Sequence, residues 1–465
     1  MAWELRRLCF MSATACALVL FAAGALADEA NQGIIDMAIE ALNSGDAEMQ
    51  SGAITILREM PGEAVTKVLA EQLPKLSPGV QVQLLAALGD RGDASALPAV
   101  SEATKSAEES VRVAALQAVG QLGDASSVPL LAERAAGVKG NEQKAARESL
   151  YRLRGERVDA AILQSISSVE PPVQVELITA IGERNTGGAI DTLLAGARQE
   201  ERRVRLESLR VLRILAGPED LPVLMNLLLD IKDDPGRTEA EKTVAAVARK
   251  IEDPTRRAAP VLAVLPNVKE TTDRASLLRV LGRIGDNSAL ATLQTDLTSR
   301  EPVIQDAAVR ALADWPTPEP LPDLLKVAQT TENRVHKVLA LRGFVRMLGF
   351  ESDRAIGETI ELYRKAMDLA GDAAEKKLLL SGLAAARSPE ALDMAAQYLD
   401  DVTLYQEAES AALKIAEAIH DDHPQQTRDV LEKLMAGTKN DAVRQQAKEL
   451  IELIDSQKTG SESQK

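Results

Sequence analysis

From Glu108 to Asp124 the chain reads EESVRVAALQAVGQLGD, with apolar residues at Val111, Ala114, Ala115, Ala118, Val119 and Leu122. Steps of three and four residues put these on one helical face. Gly123 is predicted to stop the helix by entering the left-handed conformation, which costs glycine no Cβ clash. Asp124 is predicted to cap the element that follows, ASSVPLL. The unit returns with drift. Stop signals stand at Gly89-Asp90, Gly123-Asp124, Gly155-Glu156, Gly182-Glu183, Gly217-Pro218 and Gly285-Asp286, with gaps of 34, 32, 27, 35 and 68 residues. The last gap is two units with a loop at Glu252-Asp253-Pro254. A period of roughly 30 to 38 residues built from two helices is a solenoid signature.

Each stop is followed by a short second helix, such as ALPAVSEAT (96–104), VPLLAERAA (128–136), LPVLMNLLL (221–229) and LPDLLKVAQ (321–329). Pro98, Pro129, Pro222 and Pro322 fall in their first turns, where the backbone amide has no helical partner to lose. The first helices are longer, as in VQVQLLAALGD (80–90), RRVRLESLRVLRILAG (202–217) and PVIQDAAVRALADW (302–315). Their small residues allow close helix approach. No run alternates apolar and polar residues long enough to predict a strand.

The Val-Arg pairs (Val111-Arg112, Val204-Arg205, Val309-Arg310, Val443-Arg444), the Ala-Leu stripe and the Gly-Asp turn resemble HEAT repeats, including the short HEAT-like variant of exported bacterial proteins. The resemblance runs over about 46–455 and is strongest at 78–136, 200–230 and 270–330. It implies an all-α fold, a right-handed α-solenoid of roughly 11–12 antiparallel helix pairs. It also implies that Arg112, Arg205, Arg310 and Arg444 bond to an aspartate or turn carbonyl of an adjacent repeat, and that Gly89, Asp90, Gly123, Asp124, Gly285 and Asp286 are turn positions. At 302–315 the pattern departs, because Gln305-Asp306 follow Pro-Val-Ile. The expected division is a signal peptide at 1–27, a capping helix at 28–45, HEAT-like repeats at 46–350, less regular helical repeats at 351–455 and a disordered tail at 456–465, SQKTGSESQK, which has no apolar residue.

Arg6 and Arg7, the apolar run Leu8 to Leu26 and the small residues around Ala25-Leu26-Ala27 form an export signal, with cleavage expected before Asp28. Retention of the run as an anchor is the alternative, since it approaches spanning length. Cleavage removes Cys9 and Cys16, the two cysteines. The mature chain then has no disulfide, thiolate metal site, c-type haem attachment or cysteine nucleophile. It is expected in the periplasm or beyond, with no stable membrane span. The net charge of -16 disfavours nucleic acid. Aromatics are only 2% of the chain, few for a sugar cleft or a base-stacking platform.

Candidate chemistry is sparse. Arg202, Arg203, Arg205, Arg210 and Arg213 form the densest basic group. Arg203 and Arg210 share a helix face and are candidates, with Arg202, for receiving an acidic partner; pairing with Glu200, Glu201 and Glu207 is the structural reading. Trp315 is the best aromatic candidate for a docking surface. The other aromatics of the C-terminal half, Phe344, Phe350, Tyr363, Tyr398 and Tyr405, read as fillers between irregular repeats. His420 and His423 flank Asp421-Asp422 and are weak metal candidates. Pro424 follows, so the same residues read as the end of one helix and the cap of the next. No His-Glu pairs recur as in di-iron hydroxylases built on HEAT repeats. Gly187-Gly188 reads as a turn, and no nucleophile elbow or phosphate loop occurs. The expected function is a noncatalytic scaffold with no cofactor, binding a protein outside the cytoplasm. The alternatives are a metal protein or enzyme using His420 and His423, or an accessory subunit of an exported haem or sugar-active enzyme.

Overall fold

Aspartate and proline open most of the helices. The computed structural model describes residues 33–462, with side chains through Ser456. The expected signal peptide lies outside the described residues. Among those described there are 26 α-helices and no strand, in two compact units that meet at Leu215/Ala216. The first unit holds α1 (33–42), α2 (Ala47–Glu59), α3 (Glu63–Gln72), α4 (Pro78–Arg91), α5 (Leu97–Ala103), α6 (Glu109–Leu122), α7 (Val128–Gly137), α8 (Gly140–Arg152), α9 (Val158–Ser165), α10 (Pro171–Arg184), α11 (Ile190–Ala197) and α12 (Arg202–Leu215). The second holds α13 (Leu221–Asp230), α14 (Asp234–Ala248), α15 (Ala259–Val264), α16 (Thr271–Ile284), α17 (Leu290–Asp296), α18 (Pro302–Ala313), α19 (Leu321–Thr330), α20 (Arg334–Leu348), α21 (Ile356–Leu369), α22 (Ala373–Leu383), α23 (Pro389–Ala396), α24 (Tyr405–Ile419), α25 (Pro424–Gly437) and α26 (Asp441–Glu462).

Within each unit the even-numbered helices stack in chain order, as α2 on α4 and α4 on α6 in the first, and α14 on α16, α18 and α20 in turn in the second. Odd-numbered helices form the other layer, as α13 beside α15 and α21 beside α23. This is the α-solenoid the repeats predicted, with a core of Leu, Ala, Val and Ile shared between neighbouring pairs. Pro98, Pro129, Pro222 and Pro322 each occupy the first turn of a second helix.

Two polar ladders stitch the layers. The fourth residue of an even-numbered helix reaches back to the end of the preceding odd-numbered one. Gln81, Gln143 and Gln305 donate amides to the Leu73, Ala135 and Leu297 carbonyls at 3.0, 2.8 and 3.0 Å. Arg112 and Arg205 occupy the same helix position and donate to the Ser106 and Gln199 carbonyls at 2.9 and 2.7 Å; Arg444 does so to Thr438. These carbonyls belong to the helix ends and connecting loops, where a helix supplies no amide partner. Each such bond contributes about 1 kcal/mol. In the second ladder a basic residue late in an even-numbered helix meets the end of the previous even-numbered helix. Arg184 donates to the Tyr151 and Leu153 carbonyls at 2.9 and 2.8 Å, and Arg346 to those of Ala313 and Trp315 at 2.8 and 2.6 Å.

Several turn expectations need correction. Gly89-Asp90 is not a stop: α4 continues to Arg91, and Gly92 supplies the left-handed cap with φ 69°. Asp90 lies 3.6 Å from Arg58, while Asp93 caps the following turn through Ser95 N. Gly123 does end α6, but with φ −74° in extended backbone. Its smallness answers to space, because a Cβ there would stand 2.5 Å from the Val119 carbonyl and 2.6 Å from Ser127 Oγ. Gly285 ends α16 in the left-handed region at φ 71°. Asp124 and Asp286 accept from the backbone amides of Ser126 and Ser288, and Asp286 also accepts from Ala258 N at 2.9 Å. Arg310 does not take the arginine role. Lying well up α18, it is out of reach of the loop and pairs with Asp306 at 2.8 Å, leaving the loop to Gln305. At the far end, α26 runs through residue 456, where a disordered tail was expected, to Glu462. Extending a helix that is already nucleated needs no favourable tertiary contact.

Asn185 is the one non-glycine residue with positive φ among those described, at 52°, and it caps α10. Asn185→Ala should cost about 1 kcal/mol, because Cβ crowds the carbonyl there and alanine lacks asparagine's local hydrogen bonding. Asn185→Gly should be neutral or slightly stabilising. Thermal melting of the two variants beside the parent checks the order.

Candidate partner-binding site

The predicted basic group stands at the start of α12. Arg202 and Arg203 are exposed, and among the described residues neither guanidinium has an ion-pair partner. Arg210 is also exposed but pairs with Glu207 at 2.9 Å one turn away. Arg205 turns to the loop carbonyls of Gln199 and Glu200. The cluster therefore divides: Arg205 is structural, Arg210 is half neutralised, and Arg202 with Arg203 face solvent.

Trp315 is not a docking residue. It is fully buried, together with Phe344 and Tyr363, and its carbonyl accepts from Arg346. A large ring fills the space where α18 gives way to an irregular connection, and no ring face reaches the surface. Burial pushes the phenols of Tyr151 and Tyr363 up to about 12, so both stay protonated at neutral pH.

His420 sits at the C-cap of α24, with Nδ1 2.9 Å from the Glu417 carbonyl and Nε2 3.3 Å from Asp421. His423 is the N-cap of α25. Among the described residues no group of three or more His, Cys, Asp and Glu side chains is arranged to hold a metal.

Buried carboxylates are matched to arginines of neighbouring helices. Glu142 receives Arg112 at 2.8 Å and Arg134 at 3.3 Å. Glu176 receives Arg147 at 2.6 Å, Asp273 receives Arg237 at 2.7 Å, and Asp296 receives both oxygens' worth of Arg274 contact at 2.8 and 3.0 Å. Glu241 receives Arg279 at 2.6 Å. The arrangement neutralises charge between repeats. Sequence reading missed this ladder and the glutamine one. The available signal was the recurrence of Gln or Arg at positions 50, 81, 112, 143, 174 and 205, steps of about 31 residues, which the drifting Gly-Asp turns obscured.

The model of HEAT repeats matches residues 66–150, 160–245 and 258–342, more than half of the chain. The chain belongs to the HEAT-repeat family. Among solved structures, this HEAT-repeat protein is similar to the karyopherin Kap121p bound to the extreme C-terminus of the protein phosphatase Cdc14p. The identity is 13% and the TM-score 0.53, over 90% of this chain and 53% of that one. Kap121p bound to the SUMO protease Ulp1p is similar at 13% identity and TM-score 0.52, over 90% and 52% of the two chains. Kap95p, in a structure describing how its binding affects the switch loops of RanGDP, matches at 13% identity and TM-score 0.51, over 92% and 68%. At such identities the likeness is one of fold. The chain spans about half the length of the Kap121p chains it matches. No curated protein matches it by sequence. Among the described residues no helix is long and apolar enough to cross a membrane.

Proposed function

We propose that this HEAT-repeat protein is a noncatalytic scaffold that holds a protein partner on its helical-repeat surface outside the cytoplasm. The observation that carries the reading is the disposition of charge: the buried acids named above are neutralised inside the stack, while Arg202 and Arg203 stand exposed at the start of α12 with no ion-pair partner among the described residues. A surface of stacked helices supports docking of an extended or folded polypeptide. The solved relatives Kap121p and Kap95p are described with bound proteins, which agrees with this reading. The metal alternative is weakened by His420, whose ring nitrogen lies against its own helix's carbonyl.

The place of action rests on reading residues 1–27 as an export leader, from Arg6, Arg7 and the apolar run that follows them. Fractionation with mass spectrometry of the N-terminus should find the chain beyond the inner membrane and beginning at Asp28. A full-length chain in the cytoplasm would overturn that part. A photo-crosslinking amino acid at Arg203 should trap one recurrent protein in cells. Absence of any specific adduct from this position and from others along the even-numbered helices would overturn the scaffold.

A further inference from the structure

In the second unit, the start of α24, the loop before it and the connection between α25 and α26 enclose a cleft of about 870 Å³. Most charges on its wall are already matched. Lys377 of α22 pairs with Glu407 at 3.0 Å, Asp400 with Lys433 at 2.8 Å, and Asp441 with Arg444 at 2.7 Å. Glu409, in the second turn of α24, is different. It is only 7% exposed, it lines the cleft, and its Oε1 has no hydrogen-bond partner among the described residues. The half-buried Tyr405 lies beside it and lines the same cleft. Burial first, and then the Glu409 charge, pushes that phenol's pKa up. A carboxylate removed from water without a counter-ion is costly; Glu142, Glu176, Glu241, Asp273 and Asp296 each have an arginine, and the buried Asp286 has two backbone amides.

We propose that this cleft receives an arginine or lysine side chain of a bound polypeptide, with the Glu409 carboxylate as its counter-ion. The proposal rests on the scaffold reading and gives it a site. The cleft suits a long amphipathic side chain. Leu399 and Ala442 line it, and Val402 stands 94% exposed at its edge, offering apolar surface to an aliphatic stem. Tyr405 also lines it, and an aromatic ring attracts a cation. The volume exceeds that of one side chain, so residues flanking the basic one share the cleft, and Lys439 on the exposed rim repels a second cation.

The test is a displayed random-peptide selection on the full purified chain, followed by calorimetric titration of the enriched peptides. Enriched peptides should carry Arg or Lys. Replacing that residue by citrulline or norleucine, and separately Glu409→Gln, should each weaken binding at least tenfold. Lys439→Gln should leave binding unchanged or tighten it. Glu409→Gln should melt no lower than the parent, which shows that lost binding is not lost folding. Enrichment without a basic residue, no enrichment, equal affinity for Glu409→Gln, or binding of spermidine without binding of any peptide would overturn the proposal. A partner crosslinked at Arg203 with equal yield in Glu409→Gln cells would sink this site and leave the scaffold standing. Failure of all crosslinking would sink the scaffold itself.

Discussion

Arg279→Met should loosen the middle of the second unit by about 3–5 kcal/mol, the range for breaking a buried ion pair from one side. Glu241 of α14 is only 1% exposed. Its Oε1 accepts from Arg279 Nε at 2.9 Å and Nη2 at 2.6 Å, while Arg283 approaches the other oxygen at only 3.9 Å. Removing Arg279 leaves the buried carboxylate with Arg283, at 3.9 Å, as its nearest remaining cation among the described residues. The reverse change is milder. Arg279 has about a third of its side chain in water (29%), so after Glu241→Gln it can turn outward, at a cost of about 1–2 kcal/mol. The double variant Glu241→Leu/Arg279→Met should recover most of the loss, since two apolar groups replace a charge pair. Hydrogen exchange is the suitable readout because repeats open locally. Amide protection should fall in α14, α16 and their neighbours and hold in α23 to α25. Equal losses for Arg279→Met and Glu241→Gln would show that burial of the carboxylate does not govern the pair.

That prediction turns on a contact between residues 38 positions apart, which periodicity does not reveal. The local elements were legible because their causes are local. A proline such as Pro129 or Pro322 marks a first turn wherever it falls, and Asp124 or Asp286 caps because its carboxylate reaches an amide two residues on. The stops were less legible. Gly89 and Gly123 look alike in sequence, yet one lies inside a helix against Gln121 and the other ends a helix in extended backbone. Glycine marks either a left-handed turn or a close approach, and the sequence shows both as the same letter. Trp315 was misplaced for a related reason: an aromatic at the end of an amphipathic run suits a surface edge or a gap in the core, and only the tertiary packing, which buries it fully, decides. Glu409 had no signal, because it is one acid among 70 Asp and Glu residues and only its surroundings set it apart.

The glycines supply the second large effect. Gly282→Ala should destabilise by about 2 kcal/mol or more, as expected for overpacking a dense core. Gly282 lies in the last turn of α16, where α18 crosses it. A Cβ there would stand 2.5 Å from Ala311 Cα and 2.8 Å from the Ala311 carbonyl oxygen. Backbone cannot swing aside as a side-chain tip can, so the two helices must separate, and neighbouring side chains lose contact with them. Gly52→Ala is the opposite case. Gly52 lies within α2, exposed, with nothing within 4 Å of a built Cβ. There alanine should stabilise by up to about 1 kcal/mol through helix propensity alone. Urea titrations of the two variants, followed by circular dichroism and by exchange in α2 and α16, should move in opposite directions. If Gly282→Ala were also stabilising, α16 and α18 would have room between them, and the close stacking of first helices, on which the whole repeat architecture depends, would have to be abandoned at that step.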